Sequence, residues 1–489
     1  MAVVPLPIAA VPTDAAEYAA IEKSLLRKID WSLMPVFISM FVLNYLDRNA
    51  LPNARVQGIE KDLGLEGNQF NICISVLFAG YLALQIPSNL LLTRVRPSRY
   101  LPACMALWGI VSGCTALATG FQSLVVCRFF LGFLEAPFFP GAMFLLTSWY
   151  TPRELATRTG IMYAGSLLSN AFGGLVGAGI QYGLADVRGL HSWQWLFIIE
   201  GSATVAVSVA SLFILPDFPS TTTWLSDQER AVAVHRISMT SGTADEERGS
   251  LLLGFKLALF DYKVWLLAAI TILRNSAEAL SAFVPTLVAT FHFSKVNTLL
   301  MTSPPYVFAA IVSVALSISS DKLGDRYFHT VAPLSVSLIG FIVAATTTTL
   351  APRYLSLFLI LGGTYGCFDV TYAWLSSTIP RPMEKRSVAF ALVNTISNVA
   401  QVYSPYLYDK KDSPRYLTAM IADACFVVGA ISMATVLYFA LRWENRKLDA
   451  AEARCQGHEE VNANDEDGPL DGARIAGTAP LDPSFRYML

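Results

Sequence analysis

The chain has 489 residues, of which 54% are hydrophobic and only 15% charged, with a mean hydropathy of +0.48. Soluble domains carry roughly 25% charged residues, and here the shortfall falls in long apolar runs, which places the chain in the membrane class. A formal net charge of −2 argues against nucleic acid as a partner, and the seven scattered cysteines form neither a metal-ligand spacing nor a disulfide framework.

The opening residues MAVVPLPIAAVP are apolar but contain three prolines and no basic region, so the first membrane helix is expected to serve as the insertion signal in place of a cleaved leader. Residues 1–32 form a lead-in that is amphipathic from Tyr18 to Asp30. Twelve apolar stretches of spanning length follow. Six lie near 33–53, 70–92, 100–118, 122–146, 159–183 and 195–215, and six near 263–291, 299–320, 329–349, 354–378, 387–408 and 416–441. The expected fold is therefore all-α, with two six-helix halves over 33–215 and 263–441. Between them lies a polar linker, 216–262, where Ser226 and Glu229 predict a capping box opening a short surface helix that ends near Arg236. The tail over 442–489 is rich in Glu, Asp, Gly, Ala and Pro and reads as disordered.

Lys and Arg flanking the spans gather on the side that carries the N-terminus, about 21 against about 8, so both termini are expected in the cytoplasm. The halves echo each other weakly: PSNLLLTRVRPSR (Pro87 to Arg99) follows the second span and SSDKLGDR (Ser319 to Arg326) the eighth. Parallel six-helix repeats holding a substrate at mid-membrane are how alternating-access carriers are built.

The fourth span, RFFLGFLEAPFFPG, sets Arg128 and Glu135 seven residues apart. Two helical turns return them to one face, about 10 Å apart along the axis. A charge at the bilayer centre costs roughly 2.5–3.5 kcal/mol even on the lenient insertion scale, so both should face a partner or a watery cavity. A structural ion pair between helices is one reading, and a binding and protonation site the other.

Several motifs together carry a resemblance: NYLDRNALPNA (Asn44 to Ala54), YLALQIPSNLL (Tyr81 to Leu91), the fourth-span stretch, WQWLFIIEG (Trp193 to Gly201), LPDFPSTTTWLSDQER (Leu215 to Arg230), PPY (Pro304 to Tyr306) and NTISNVAQVYSPYLY (Asn394 to Tyr408). Over about residues 30–445 the chain resembles the major facilitator superfamily, and within it the anion:cation symporter branch that includes fungal allantoate, nicotinate and pantothenate permeases. The resemblance implies proton-coupled symport of a small organic anion by a monomeric carrier in a lipid bilayer, the plasma membrane expected, without cofactor or metal. It implies that Asp47 and Glu135 exchange protons, that Arg48 meets the substrate carboxylate, that Arg128, also of the substrate-binding set, supports the acid below it on its helix, and that Tyr81, Trp374, Asn394 and Asn398 line the pocket.

Arg274 and Glu278 depart from the family, whose members mostly have polar or small residues there. At i and i+4 they either neutralise each other, or Arg274 offers substrate a second cationic contact. Asp369 in span ten reads as a helix–helix hydrogen-bonding group, and Glu200 as structural. Trp149, Tyr150, Trp193 and Trp195 fall at span ends and read as an interfacial belt. Two other functions stay open. One is a proton-coupled exporter of a secondary metabolite, although span five has glycines without the Gly-Pro of such antiporters. The other is a non-transporting nutrient sensor, although the tail is short for one. No nucleophile–base constellation, metal spacing or phosphate loop points to an enzyme.

Overall fold

In the computed structural model Asp14 opens the first helix, its carboxylate accepting the Ala16 N–H at 3.1 Å. The helix then runs unbroken through lead-in and first span and stops at Gly58, whose φ of 118° suits only a residue without a side chain. The structure describes residues 12, 14–92, 95–242, 251–379, 383–462 and 487–488. The α-helices are α1 (Ala15–Gln57), α2 (Ile59–Asp62), α3 (Gln69–Leu92), α4 (Pro97–Cys114), α5 (Phe121–Glu135), α6 (Phe138–Thr147), α7 (Pro152–Gly183), α8 (Ser192–Ile214), α9 (Asp227–Gly242) and α10 (Leu251–Leu259). They continue with α11 (Tyr262–Glu278), α12 (Val284–Ala289), α13 (Lys295–Leu323), α14 (Tyr327–Thr346), α15 (Leu350–Gly366), α16 (Phe368–Thr378), α17 (Met383–Tyr403) and α18 (Leu417–Asn462). No strand occurs among the described residues.

Ten helices among the described residues are long and apolar enough to cross a membrane, against the twelve expected. The apolar run at Gln69–Gln85 is shorter, and α17 carries Asn394, Asn398 and Gln401 along its length, which dilutes its apolar character. Spans expected to be continuous are interrupted. The fourth divides into α5 and α6 at Pro137, where proline lacks the N–H that would continue the ladder, and the seventh divides after Glu278.

The chain forms two compact units. Unit 1 comprises 1–247, 280–310 and 401–416, and unit 2 comprises 248–279, 311–400 and 417–489. Segments from the second half join unit 1 through specific bonds: Lys295 Nζ donates to the Gln57 carbonyl at 2.7 Å, Arg55 to the Thr286 hydroxyl at 3.3 Å, and the Ser303 hydroxyl to the Ala171 carbonyl at 2.7 Å. The core of unit 1 is built from buried residues such as Phe37, Phe41, Trp108 and Phe138, and that of unit 2 from Leu267, Ile270, Trp374 and Leu437.

The capping box of α9 forms, with the Glu229 N–H on Ser226 Oγ at 3.2 Å and the Ser226 N–H on Glu229 Oε2 at 3.1 Å. The helix is pinned to unit 1 by Lys28–Glu229 at 2.6 Å and Arg236–Glu154 at 2.9 Å.

Two expectations are corrected. The span-end aromatics Trp149, Tyr150 and Trp193 are buried, because their polar tips find protein partners in place of the membrane interface. Trp149 donates to the Asp217 carbonyl at 2.9 Å, Tyr150 to Asp30 at 2.8 Å and Trp193 to Asp62 at 2.8 Å. The tail expected to be disordered is helical as far as Asn462 in α18. Over 442–462 the tail is rich in Ala, Glu and Arg, which are strong helix formers, while its prolines, Pro469, Pro480 and Pro483, all come after Asn462 in the sequence. Beyond it Tyr487 is buried, exchanging backbone bonds with the Asn445 side chain at 2.8 and 2.9 Å, and its hydroxyl accepts from Lys263 at 3.2 Å. Residues 243–250 of the linker and 463–486 of the tail lie outside the described residues.

Candidate functional site

The candidate residues divide between the units. Asp47, Arg48, Tyr81, Arg128 and Glu135 fall in unit 1, and Arg274, Trp374, Asn394 and Asn398 in unit 2.

In unit 1 the geometry begins with the crossing of α3 and α5. A methyl at Gly132 would lie 1.8 Å from the Leu77 carbonyl oxygen, and one at Gly80 would lie 2.2 Å from that of Phe129, so only glycines permit these backbones to touch. The contact sets Tyr81, beside Gly80, against the helix that carries Arg128 and Glu135. Glu135 is the last residue of α5, where unsatisfied carbonyls leave partial negative charge, so its carboxylate needs a cation nearby.

Arg48 supplies that cation. Its Nε donates to Glu135 Oε2 at 2.5 Å, with the Glu135 side chain fully buried and that of Arg48 17% exposed. The guanidinium lies 4.8 Å from the Tyr81 ring centroid, 5.5 Å from Tyr45 and 6.0 Å from Phe78, an aromatic setting that suits a desolvated cation. The second oxygen, Glu135 Oε1, has no hydrogen-bond partner among the described residues.

Arg128 does not pair directly with the acid two turns along its own helix. It reaches α1 and donates to the carbonyls of Asp47, at 3.4 Å, and Arg48, at 3.1 Å. It therefore clamps the backbone that carries the ion-pairing arginine. Asp47, adjacent in sequence to Arg48, has its side chain held on other partners: Oδ1 accepts from the Ser112 hydroxyl at 2.6 Å and Oδ2 from the Thr204 hydroxyl at 2.9 Å. One step along a helix turns a side chain by about 100°, so Asp47 and Arg48 leave α1 on different faces, and Asp47 is held apart from the Arg48–Glu135 pair. Ser112 and Thr204 were not expected. The one signal for them is the Gly109 and Gly113 spacing on α4, which marks a close helix crossing.

In unit 2 Arg274 is fully buried and extensively bonded. It pairs with Glu278, donates to the Thr364 carbonyl at 3.2 Å and to Asn275 Oδ1 at 2.5 Å, and lies 4.7 Å from the Phe368 ring centroid. Asn275 continues the network by donating to the Ser397 carbonyl at 3.1 Å on α17, where Asn398 donates to Asn394 Oδ1 at 3.2 Å. Trp374 packs in the core of this unit. Asp369 accepts from the Ser313 hydroxyl at 3.1 Å, the helix–helix bond expected of it.

No group of three or more His, Cys, Asp or Glu placed to hold a metal occurs among the described residues. What unit 1 contains is a titratable carboxylate and an arginine that compete for each other inside apolar helices. Protonating the acid would release the cation, and an anion bound to the cation would release the acid.

Residues 37–405 match the family model described as Major Facilitator Superfamily. The chain is 32% identical over 469 residues to the MFS-type transporter cnsO of Penicillium expansum, covering 92% of this chain and 90% of that protein. It is 30% identical over 478 residues to the major facilitator-type transporter hxnP of Emericella nidulans, covering 96% and 93%. Among solved structures it is similar to a bacterial homologue of the human lysosomal transporter Spinster in an inward-facing, unoccupied conformation, with a TM-score of 0.66 at 16% identity and coverage of 87% and 97%. It is likewise similar to a D-xylose–proton symporter, with a TM-score of 0.64 at 14% identity and coverage of 82% and 97%. At such identities the structural likeness speaks for the fold.

Proposed function

The chain belongs to the Major Facilitator Superfamily and is a multi-pass membrane transporter, not an enzyme, and from that premise we propose that it is a proton-coupled symporter of a small organic anion. The reading includes twelve spans with both ends in the cytoplasm, a monomer, and a place in the plasma membrane, supported by the lysine and arginine distribution for its orientation. The observation that carries it is the 2.5 Å pair of Arg48 and Glu135.

An arginine bound to a buried carboxylate is unavailable to a substrate carboxylate. A proton on Glu135 removes that competition, so proton and anion bind with positive coupling and cross together as a neutral sum. Arg128 fixes the Arg48 backbone while the side chain changes partner, and Tyr81 keeps an aromatic face under the guanidinium in either state. Asp47 would be a second titrating group, Trp374, Asn394 and Asn398 supply apolar and amide contacts, and Arg274 would offer a second cation by exchanging Glu278 for substrate.

The test is uptake of a panel of labelled carboxylates into proteoliposomes under an imposed inward proton gradient. At least one carboxylate should accumulate, and a protonophore should abolish the accumulation. Accumulation of neutral or cationic solutes alone, or accumulation indifferent to the protonophore, overturns the proposal.

A further inference from the structure

A buried acid of α8 takes no part in the proposed symport. Glu200, in the third turn of α8, is 3% exposed, and neither of its carboxylate oxygens has a hydrogen-bond partner among the described residues. Asp47 is held by two hydroxyls and Glu135 by a guanidinium, but nothing among the described residues donates to Glu200.

An ionised carboxylate in an apolar interior without donor or cation is far more costly than a neutral acid that merely leaves a hydrogen bond unmade. Glu200 and Thr204 are one helical turn apart on one face of α8, and Thr204 is the residue that holds Asp47 Oδ2. The crossing is tight, since a methyl at Gly201 would lie 2.6 Å from the Gly109 carbonyl oxygen and 2.6 Å from the Gly113 nitrogen.

The elements packed on α8 bring little compensating charge. From α4 come the neutral Trp108 and Ser112, and its one charged residue, Arg99, is ten positions before Gly109. The charged residues of α7, Arg153, Glu154 and Arg158, lie in its first two turns. From α1 come Asp47 and Arg48, and Arg48 is engaged by Glu135. Arg128 of α5 is spent on the carbonyls of α1.

We propose that Glu200 is a further proton-binding residue of the carrier, holding a proton in this conformation and sharing it with Asp47 as an acid pair separate from Arg48 and Glu135. The pair holds one proton and one negative charge. When the O–H bond of Glu200 breaks and one forms on Asp47, the total is unchanged, and the Ser112 and Thr204 hydroxyls that stabilise the Asp47 carboxylate keep the proton on Glu200. Use of this proton in transport rests on the symport reading; its presence does not.

Infrared spectroscopy of the purified full chain in dodecyl maltoside micelles, a detergent without a carbonyl group, tests this without a substrate. At about pH 8, where exposed carboxyls are ionised, the unmodified chain should show the C=O stretch of a protonated carboxylic acid. Glu200→Gln should remove that band and Glu135→Gln should leave a band at the same position. Should Glu200→Gln not fold, the unmodified chain grown with glutamate labelled with 13C at the side-chain carboxyl should show the band displaced to lower frequency. Absence of a protonated-acid band, its survival in Glu200→Gln, or no displacement on labelling overturns the proposal. Failure of the symport reading would register differently, as no proton-driven accumulation by a carrier whose band is intact.

Discussion

Arg48 Nε and Glu135 Oε2 are 2.5 Å apart, an ion pair that ties α1 to the point where the fourth span is interrupted. Each partner blocks the other, and under the proposed symport this links occupancy by proton to occupancy by anion.

In the unmodified carrier, anion binding should therefore tighten as pH falls, by up to about tenfold per pH unit if one proton is taken up per anion. Glu135→Gln keeps shape and hydrogen bonding without the titrating group. Its binding should lose this part of the pH dependence, and exchange of substrate for substrate should persist while uphill accumulation is lost. Titration calorimetry across pH and counterflow in proteoliposomes measure the two effects. Retained uphill accumulation would transfer the coupling to Asp47 and Glu200.

Gly132→Ala should be damaging out of proportion to its size. The added methyl would sit 1.8 Å from the Leu77 carbonyl oxygen, and separating α3 from α5 should cost at least about 1–3 kcal/mol and loosen the hold of Arg128 on α1. Gly160→Ala, where nothing lies within 4 Å, is the control and should leave the melting temperature unchanged or higher. Thermal unfolding of the purified proteins in one detergent compares them.

Arg274 and Glu278 form the other buried pair at an interrupted span. Removing either charge alone should cost about 3–5 kcal/mol by leaving its partner uncompensated, and Arg274→Leu with Glu278→Leu should restore folding. If Arg274 also meets substrate, the double variant should bind a carboxylate more weakly by about 1.5–3 kcal/mol. Equal affinity in a binding titration removes Arg274 from the binding set and favours a single-carboxylate substrate.

The attachment of α9 should weaken in acid. Burial pushes the Glu229 carboxyl up, but the Lys28 ammonium and the Ser226 N–H outweigh it and hold the group below its ordinary value. A depressed carboxyl contributes stability that is complete above its unfolded value, about 4.3, and is lost as pH falls through the lower folded one. Hydrogen exchange in 227–242, corrected for the intrinsic pH effect, should accelerate over that acid range and become flat in Glu229→Gln.

How much of this was legible in the sequence follows from the range of each interaction. Composition and run length mark a membrane chain because a span must be apolar over its own length, and Ser226 with Glu229 marks the start of α9 because a capping box is complete within four residues. Arg48, Arg128 and Glu135 stand out because charge inside an apolar run is conspicuous wherever it points. Which of them pair is a different matter. Arg128 and Glu135 share a helix face, yet Glu135 binds Arg48, 87 positions away, and Arg128 binds the carbonyls of Asp47 and Arg48. That choice depends on how closely α1, α3 and α5 approach, which glycine contacts set and no local pattern records. For the same reason Ser112 and Thr204, ordinary hydroxyls in apolar helices, acquire meaning only when α4 and α8 bring them to Asp47, and Glu200 becomes conspicuous only once folding surrounds it with groups that offer it neither donor nor cation.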